Sequence, residues 1–203
     1  MVRTAKEHPP TKARLLDSAE RLMLAKGFSA TTVDEICEAA KLTKGSFFYY
    51  FESKEQLGKE LLERFCASAR ERMKEGACCG GERDPLKRVY GYVDFMIKMS
   101  KECAGSQGCL LGTFAQELSD THPEIRSVCE EGFGRWAEML KQDLDEAKAK
   151  YAPKAPFNTK SLAEHCIAIV EGSKILARTR QDAGIIEASL RHFRHYLDML
   201  FHQ

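Results

Sequence analysis

Closely spaced helix-start signals constrain this sequence more than any other feature. Thr32 with Glu35, and Ser53 with Gln56, have the spacing of capping boxes, in which each side chain bonds to the backbone N–H group of the other residue. Thr43, between them, can cap a further helix that begins at the next residue. Two short helices joined by a turn of about three residues have the spacing of a helix–turn–helix unit.

A longer helix is predicted before this unit. Thr11 can cap it, and apolar residues follow at helical spacing as far as Leu22. Gly27 stands where a left-handed C-cap belongs, with Phe28 as the hydrophobic residue that accompanies such a cap. The first 55 residues are therefore expected to hold three helices, and a long helix to about residue 75 follows them.

Five consecutive aromatic residues, FFYYF at positions 47–51, fall in the third helix. Because a helix turns by about 100° per residue, these side chains point all round its axis. Phe47 and Phe51, four positions apart, are expected to form the buried side, with the hydrocarbon rings inward and the hydroxyl-bearing Tyr49 and Tyr50 outward. An outward phenol can contact a phosphate or a thymine methyl group. The alternative is that both tyrosines cover a neighbouring helix.

Lys54 follows the Ser53 cap directly, at the first position of the fourth helix. A cation there opposes the helix dipole, at a cost of ~0.3–1 kcal/mol. A phosphate at that helix end would be favoured both by the lysine and by the free backbone N–H groups. The alternative is a solvated lysine.

The segment TTVDEICEAAKLTKGSFFYYFESKEQL resembles the DNA-binding segment of the TetR family of bacterial transcriptional regulators, and the resemblance covers roughly residues 11–60. It rests on the capped second helix, the Lys44-Gly45 pair, the aromatic run and the spacing of the residues after it. The resemblance implies that the third helix enters the DNA major groove while neighbouring residues hold phosphates. The contacts it implies are Thr32, Val33, Thr43, Lys44, Gly45, Ser46, Tyr49, Tyr50 and Lys54.

Two positions depart from the pattern of that family. Lys41 stands in the turn where the family usually has glycine, and a left-handed conformation there would cost ~1 kcal/mol. Phe48 stands where the family often has tyrosine, so one hydroxyl for a phosphate is missing.

The rest of the chain is predicted to be helical as well. Asp84-Pro85, His122-Pro123 and Asn158 mark helix starts, Ser106 can cap a helix over about 107–118, and the last helix begins at about Gly184. The predicted fold is therefore all-α. It consists of a helix–turn–helix DNA-binding domain at 1–55 and a C-terminal helical bundle for effector binding and dimerisation at 56–203.

The last two helices are apolar on more than one side, and one apolar stripe suffices for the chain's own core. The surplus indicates a partner helix, although a thick single-chain core is the alternative. The resemblance favours a homodimer through these helices. The predicted interface is Leu162, Ile169, Gly172, Leu176, Leu190, Phe193 and Leu197.

Core-facing residues of the C-terminal helices are candidates to line an effector pocket: Phe95, Met99, Cys109, Phe114, Trp136 and Cys166. With Ser106 as the cap, Cys109 would be the third helical residue, where the helix dipole favours a thiolate. It is then either a sensor of electrophiles or oxidants or a buried packing residue, and the second interpretation is preferred because free cysteines are commonly buried.

Composition and motifs exclude several function classes. The chain has 203 residues, 43% of them hydrophobic and 30% charged, with a net charge of +1, and it carries no apolar run long enough for a signal peptide or a membrane helix. A cytoplasmic protein without a membrane partner is expected, with its eight cysteines as thiols. No phosphate-binding loop is present, so no cofactor is expected. No metal site is predicted either: His192 and His195 are more often a surface patch, and Cys78-Cys79 lack a second cysteine pair.

These features together predict a transcriptional regulator rather than an enzyme. It would be a ligand-responsive repressor that binds a palindromic double-stranded DNA operator as a dimer, and a small-molecule effector would shift it to a dimer with wrongly spaced recognition helices. Two other classes stay open. A small-molecule enzyme using the C-terminal cavity would need a catalytic dyad, and a helical adaptor protein would retard no DNA fragment.

Overall fold

The computed structural model describes residues 10–76, 82–102 and 108–201, and within these ranges the chain forms nine α-helices and no strand. This confirms the all-α prediction. The helices are α1 Thr11–Lys26, α2 Val33–Ala40, α3 Lys44–Tyr50, α4 Lys54–Gly76, α5 Pro85–Glu102, α6 Leu110–Leu118, α7 Pro123–Tyr151, α8 Thr159–Arg180 and α9 Gly184–Phe201.

Local capping signals placed most helix starts correctly. The Thr32 side chain accepts a hydrogen bond from the Glu35 backbone N–H, and the Glu35 carboxylate accepts one from the Thr32 N–H in return. Asn158 caps α8 with its side-chain oxygen, which accepts the Ser161 backbone N–H without a return bond from Ser161 among the described residues. The Ser53 cap is also formed, but the Gln56 side chain bonds to the N–H of the residue before Ser53. That bond extends the box by one residue.

Three expectations about helix ends were wrong. Thr11 is the first residue of α1 rather than its cap, because Pro10 occupies the cap position. Gly27 has a positive φ of 89° but an extended ψ of 168°, so α1 does not end in a left-handed cap. Cys109 is not the third helical residue: it precedes α6 with an extended backbone, and Ser106 lies outside the described residues.

The turn between α2 and α3 contains a non-glycine residue in a left-handed conformation. Lys41 has φ 53° and ψ 48°, so the residue at the position where the family usually has glycine does adopt the left-handed conformation. The guanidinium of Arg14, on α1, donates to the carbonyl oxygen of Ala40 at 2.5 Å and to that of Lys41 at 3.4 Å. A side chain from the first helix thus satisfies the carbonyl groups that the end of α2 leaves free.

Buried hydrophobic residues form two clusters that meet along α7. The first joins α1–α4 to α6 and the N-terminal part of α7, and it contains Phe47 and Phe51. The second joins α5, α8 and α9 to the rest of α7, and Phe133 packs against both. The first cluster crosses residue 55, and the division into domains 1–55 and 56–203 stays a prediction. None of the described helices has the length and apolarity that crossing a bilayer requires.

Candidate nucleic-acid interface

The aromatic run divides between the core and the surface. Phe47 and Phe51 are buried, while Tyr49 is 80% exposed and Tyr50 is half-buried. Phe48 is 56% exposed, so the expectation that every hydrocarbon ring turns inward was wrong for this residue. The reason is that α3 has only seven residues, and Phe48 lies about 100° from Phe47, beyond the strip that contacts α1 and α2.

Neither the backbone conformation nor the packing among the described residues requires glycine at position 45. Its φ is not positive, and a Cβ added there would meet only the Thr43 hydroxyl, at an ordinary contact distance of 3.6 Å. Glycine destabilises a helix interior by ~1 kcal/mol relative to alanine. A glycine that neither the backbone nor the packing requires fits a surface to which another molecule's backbone or bases come close.

The N-termini of α2 and α3 lie side by side. The Lys44 ammonium, at the start of α3, forms an ion pair with the Asp34 carboxylate, at the start of α2, at 2.8 Å. That contact raises the pKa of Lys44. The Thr43 hydroxyl accepts the Ser46 backbone N–H, which leaves the hydroxyls of both residues near the helix end. Positive helix ends and exposed hydroxyls suit phosphate oxygens.

The second helix start is held by charge. Lys26 at the end of α1 contacts the Glu35 carboxylate at 2.5 Å, and with the Thr32 bonds it lowers the pKa of Glu35 to about 2. Glu35 therefore keeps its charge at neutral pH and fixes the exposed Thr32 and the half-buried Val33 at the start of α2.

The Lys54 side chain turns back towards the α1–α2 turn. Its ammonium donates to the carbonyl oxygens of Phe28 at 3.0 Å and Thr31 at 2.9 Å, and it lies 4.2 Å from the centre of the Phe28 ring. An ammonium group has three donors. One donor is left for a phosphate, and the predicted phosphate contact stays a prediction.

A cavity of about 1440 Å³ is lined by residues of α1 and of α4 to α9. Phe95, Met99, Cys109 and Trp136 line it, and their role in binding an effector stays a prediction. Phe114 and Cys166 do not line it: each is fully buried, Phe114 in the first cluster and Cys166 in the second. The large apolar side chains of the lining are Leu24, Phe65, Met73, Phe95, Met96, Met99, Leu111, Trp136, Met139, Ile186 and Leu190.

Lys174 and Cys109 both line this cavity, and Lys174 forms an ion pair with Glu171. The Lys174 ammonium lies 3.2 Å from the Glu171 carboxylate and 5.9 Å from the centre of the Trp136 ring. Burial raises the pKa of the nearby Cys109 thiol to about 11. At neutral pH Cys109 is therefore a protonated thiol, which is the state of a packing residue.

No metal centre is formed among the described residues, which contain no group of three or more histidine, cysteine, aspartate or glutamate side chains suited to one. His192 and His195 are both exposed on α9. Cys78 and Cys79 lie outside the described residues.

Comparison with known families matches almost the whole described chain. Residues 15–61 match the family described as bacterial regulatory proteins, tetR family, and residues 85–193 match the tetracyclin repressor-like C-terminal domain. The chain belongs to the TetR family. It is a DNA-binding transcriptional regulator.

Relatives of this TetR-family chain match it over most of its length. The HTH-type transcriptional repressor NemR of Escherichia coli (strain K12) is 26% identical over 92% of this chain and 94% of its own. The repressor DhaR of Mycobacterium sp. (strain GP1) is 27% identical over 81% and 80%. Among solved structures, the regulatory protein TetR from Rhodobacter sphaeroides superposes with a TM-score of 0.80 at 25% identity, over 90% of this chain and 96% of that one. The reduced form of E. coli NemR superposes with a TM-score of 0.76 at 26% identity, over 92% and 96%.

The surface of the last two helices of this TetR-family chain differs from the predicted interface. Leu162, Leu190, Phe193 and Leu197 are buried within the chain itself, so they belong to its own core and that part of the prediction was wrong. Ile169 is half-buried, and Gly172 and Leu176 are exposed. The apolar side chains exposed on α8 and α9 are Ile175, Leu176, Tyr196 and Met199, and a Cβ on Gly172 would meet nothing within 4 Å.

Sequence reasoning missed the side chains that hold the recognition unit in place. Arg14 on α1, for which the sequence showed no capping role, donates to the carbonyl groups at the end of α2. Glu117 on α6 and Arg178 on α8, which contact the end of α1 and the turn after it, were not singled out at all. Their partners are backbone groups far away in sequence, and no local pattern marks such contacts.

Proposed function

We propose that the protein is a homodimeric, ligand-responsive repressor that binds a palindromic operator. The observation that carries the proposal is the exposed apolar face of α8 and α9, which will be named the α8–α9 face: Gly172, Ile175, Leu176, Tyr196 and Met199. Large apolar side chains exposed on two helices that pack together are a candidate interaction surface.

A second copy of this chain is the simplest partner for that face. Two-fold assembly buries the same face of both copies, and it brings two recognition units into a fixed relation. Two α3 helices spaced by one DNA turn read two half-sites of opposite orientation. The expected operator is therefore palindromic, and binding to it implies a cytoplasmic location.

DNA contact is proposed through the exposed side of α3 and the starts of its neighbours. Gly45 allows close approach of the DNA, and Tyr49 and Ser46 offer hydroxyl groups. Lys44 offers a positive charge, and its ion pair with Asp34 is exposed to solvent, so a phosphate can compete with Asp34 for it. The contacts proposed in full are Thr32, Val33, Thr43, Lys44, Gly45, Ser46, Tyr49, Tyr50 and Lys54.

The cavity is proposed to bind an effector without changing it chemically. Its methionine and aromatic lining favours a largely apolar small molecule. Burial raises the pKa of both cysteine thiols in its wall, Cys66 and Cys109. The names of NemR and DhaR, both repressors, support repression as the direction of control.

Selection of bound fragments from the source genome, followed by sedimentation of the free protein and of its complex, tests this function. The expected result is one palindromic fragment bound by one dimer. A monomer at micromolar concentration, or a chain that selects no fragment, would overturn the proposal, and the second result would favour a helical adaptor.

A further inference from the structure

The turn between α1 and α2 is where the recognition unit docks onto the effector-binding helices. Phe28, in this turn, is buried, with its ring centre 5.2 Å from that of Phe114 on α6 and 6.2 Å from that of His122, which precedes α7. A Cβ on Gly58, in α4, would lie 3.0 Å from the Phe28 ring. The ring therefore fills a socket built from three different segments.

A carboxylate from α6 is seated on the backbone of the same turn. One oxygen of Glu117 accepts the Phe28 N–H at 3.2 Å, and the other accepts the Ser29 N–H at 2.9 Å. Consecutive backbone N–H groups that point to one spot form an anion-binding site. Here the anion belongs to the protein, and both of its oxygens are used.

Gly27 leaves the room that this carboxylate occupies. Its φ of 89° is unfavourable for residues with a Cβ, and a Cβ there would lie only 2.9 Å from the Glu117 carboxyl carbon. Both the conformation of the turn and the seat of the carboxylate therefore require glycine at this position.

The turn leads directly into α2, so its position sets the direction of the recognition unit. Thr31 closes the turn with a bond from its hydroxyl to the Gly27 carbonyl at 2.7 Å, and its own carbonyl accepts the Lys54 ammonium. Arg178 on α8 donates to the carbonyl of Ala25, in the last turn of α1, at 2.7 Å. Among these partners, Glu117 alone holds the turn through two backbone donors at once.

We propose that Glu117 is a positioning residue for DNA recognition, whose carboxylate fixes the orientation of the helix–turn–helix unit by seating the α1–α2 turn on α6. In the dimer this orientation sets the spacing of the two α3 helices. The inference rests on the proposed dimeric binding of a two-site operator. It concerns the distance and orientation between the two helix–turn–helix units, not the DNA contacts that either unit makes.

Duplexes with one and with two half-sites separate positioning from structural damage. Affinity for a single half-site reports the DNA contacts of one helix–turn–helix unit, whereas affinity for the complete operator also requires that the two units have the correct spacing. Glu117→Ala should weaken binding to the complete operator by tenfold to at most about a hundredfold, because the lost bonds no longer favour the orientation that fits two half-sites and their strength sets the upper limit of the effect. It should leave the half-site affinity unchanged and speed hydrogen exchange at the Phe28 and Ser29 amides.

Two variants act as controls. Glu117→Gln keeps one acceptor oxygen and should lose less affinity than Glu117→Ala. Gln116→Ala removes the neighbouring side chain, which bonds only within α6 to the Gly112 carbonyl, and should change neither amide exchange nor operator affinity.

Each remaining outcome overturns the proposal. Faster exchange with unchanged operator affinity would make Glu117 a structural residue only, and unchanged exchange would mean that the carboxylate is not seated on the turn. Equal losses of affinity for the half-site and for the complete operator would indicate that the helix–turn–helix unit itself is misfolded. Failure of the dimer proposal itself is recognised separately, because the wild type would then bind both duplexes equally well.

Discussion

Phe47 and Phe51 pack with their ring centres 5.5 Å apart, although Phe51 lies one residue beyond the end of α3. The backbone is extended at Phe51, and its ring still reaches the core beside that of Phe47. Two rings thus anchor a seven-residue helix that would be unstable alone. Between the anchors, Phe48 and Tyr49 are exposed on the outer surface, whereas Tyr50 is half-buried and also packs against the core, so its expected outward position is only partly met.

Tyr49→Ala and Phe51→Ala should therefore have opposite profiles. Tyr49→Ala should leave the melting temperature nearly unchanged and weaken operator binding, because the side chain is exposed. Phe51→Ala should destabilise the fold by roughly 3–5 kcal/mol, the usual cost of emptying a buried phenylalanine site. Melting temperature and operator affinity are measured for both variants. Equal destabilisation would show that Tyr49 covers a core.

Features that depend on neighbouring residues could be predicted from the sequence, whereas features that depend on contacts between distant residues could not. Thr32 and Thr43 cap helices through bonds to residues three positions away, so their roles were visible in the sequence. The partners of the Lys54 ammonium lie 23 and 26 residues away, and no local pattern encodes them. The start of α6 was misplaced for the same reason, since Cys109 is buried by contacts with other helices.

Lys54→Ala should affect stability as well as DNA binding. Removing the ammonium takes one donor from each of the carbonyl oxygens of Phe28 and Thr31, and the Phe28 oxygen keeps the Thr31 backbone N–H, so the melting temperature should fall. If its third donor holds a phosphate, affinity for all DNA sequences should also fall, and the salt slope should decrease by about one. Lys59→Ala, on the same helix with only a 3.6 Å ion pair to Glu124, is the matched control. If the melting temperature falls while the dependence of DNA affinity on salt concentration stays unchanged, Lys54 stabilises the α1–α2 turn and contacts no phosphate.

The α8–α9 face should be separable from the core beneath it. Met199→Asp or Leu176→Asp should dissociate the dimer and leave a folded monomer, because both side chains are about half exposed in the chain. Phe193→Asp should unfold the protein instead, since that side chain is buried within the chain. Sedimentation and circular dichroism distinguish the two results. A Met199→Asp protein that stays dimeric would place the partner elsewhere.

Periodicity alone could not separate these two groups of residues. Phe193 and Met199 lie on the same helix, and both are large and apolar, so the sequence shows a broad apolar surface without showing which part the chain covers itself. Only the position of α5 and α8 against α9 decides this, and that depends on the tertiary fold.

Cys109 should behave as a packing residue. Its thiol is buried with a pKa of about 11, so alkylation should be slow at neutral pH and should accelerate as the pH rises towards that value. Electrophiles should then affect DNA binding equally in the wild type and in Cys109→Ser. Cys66→Ser, at a partly exposed thiol in the same cavity, is the control. Release of DNA from the wild type but not from Cys109→Ser would make Cys109 a sensor.

Gly45→Ala should strengthen the fold and weaken its function. A Cβ at this position meets only the Thr43 hydroxyl, at 3.6 Å, and alanine favours a helix over glycine by up to ~1 kcal/mol, so the melting temperature should rise slightly. Operator affinity should fall, because the added methyl group occupies space that the DNA needs. Gly134→Ala is the matched control: it is an exposed glycine of α7 with nothing within 4 Å of its added Cβ, and it lies on neither proposed surface. It should gain stability without losing affinity. If Gly45→Ala binds the operator as tightly as Gly134→Ala does, the DNA does not approach α3 at this residue.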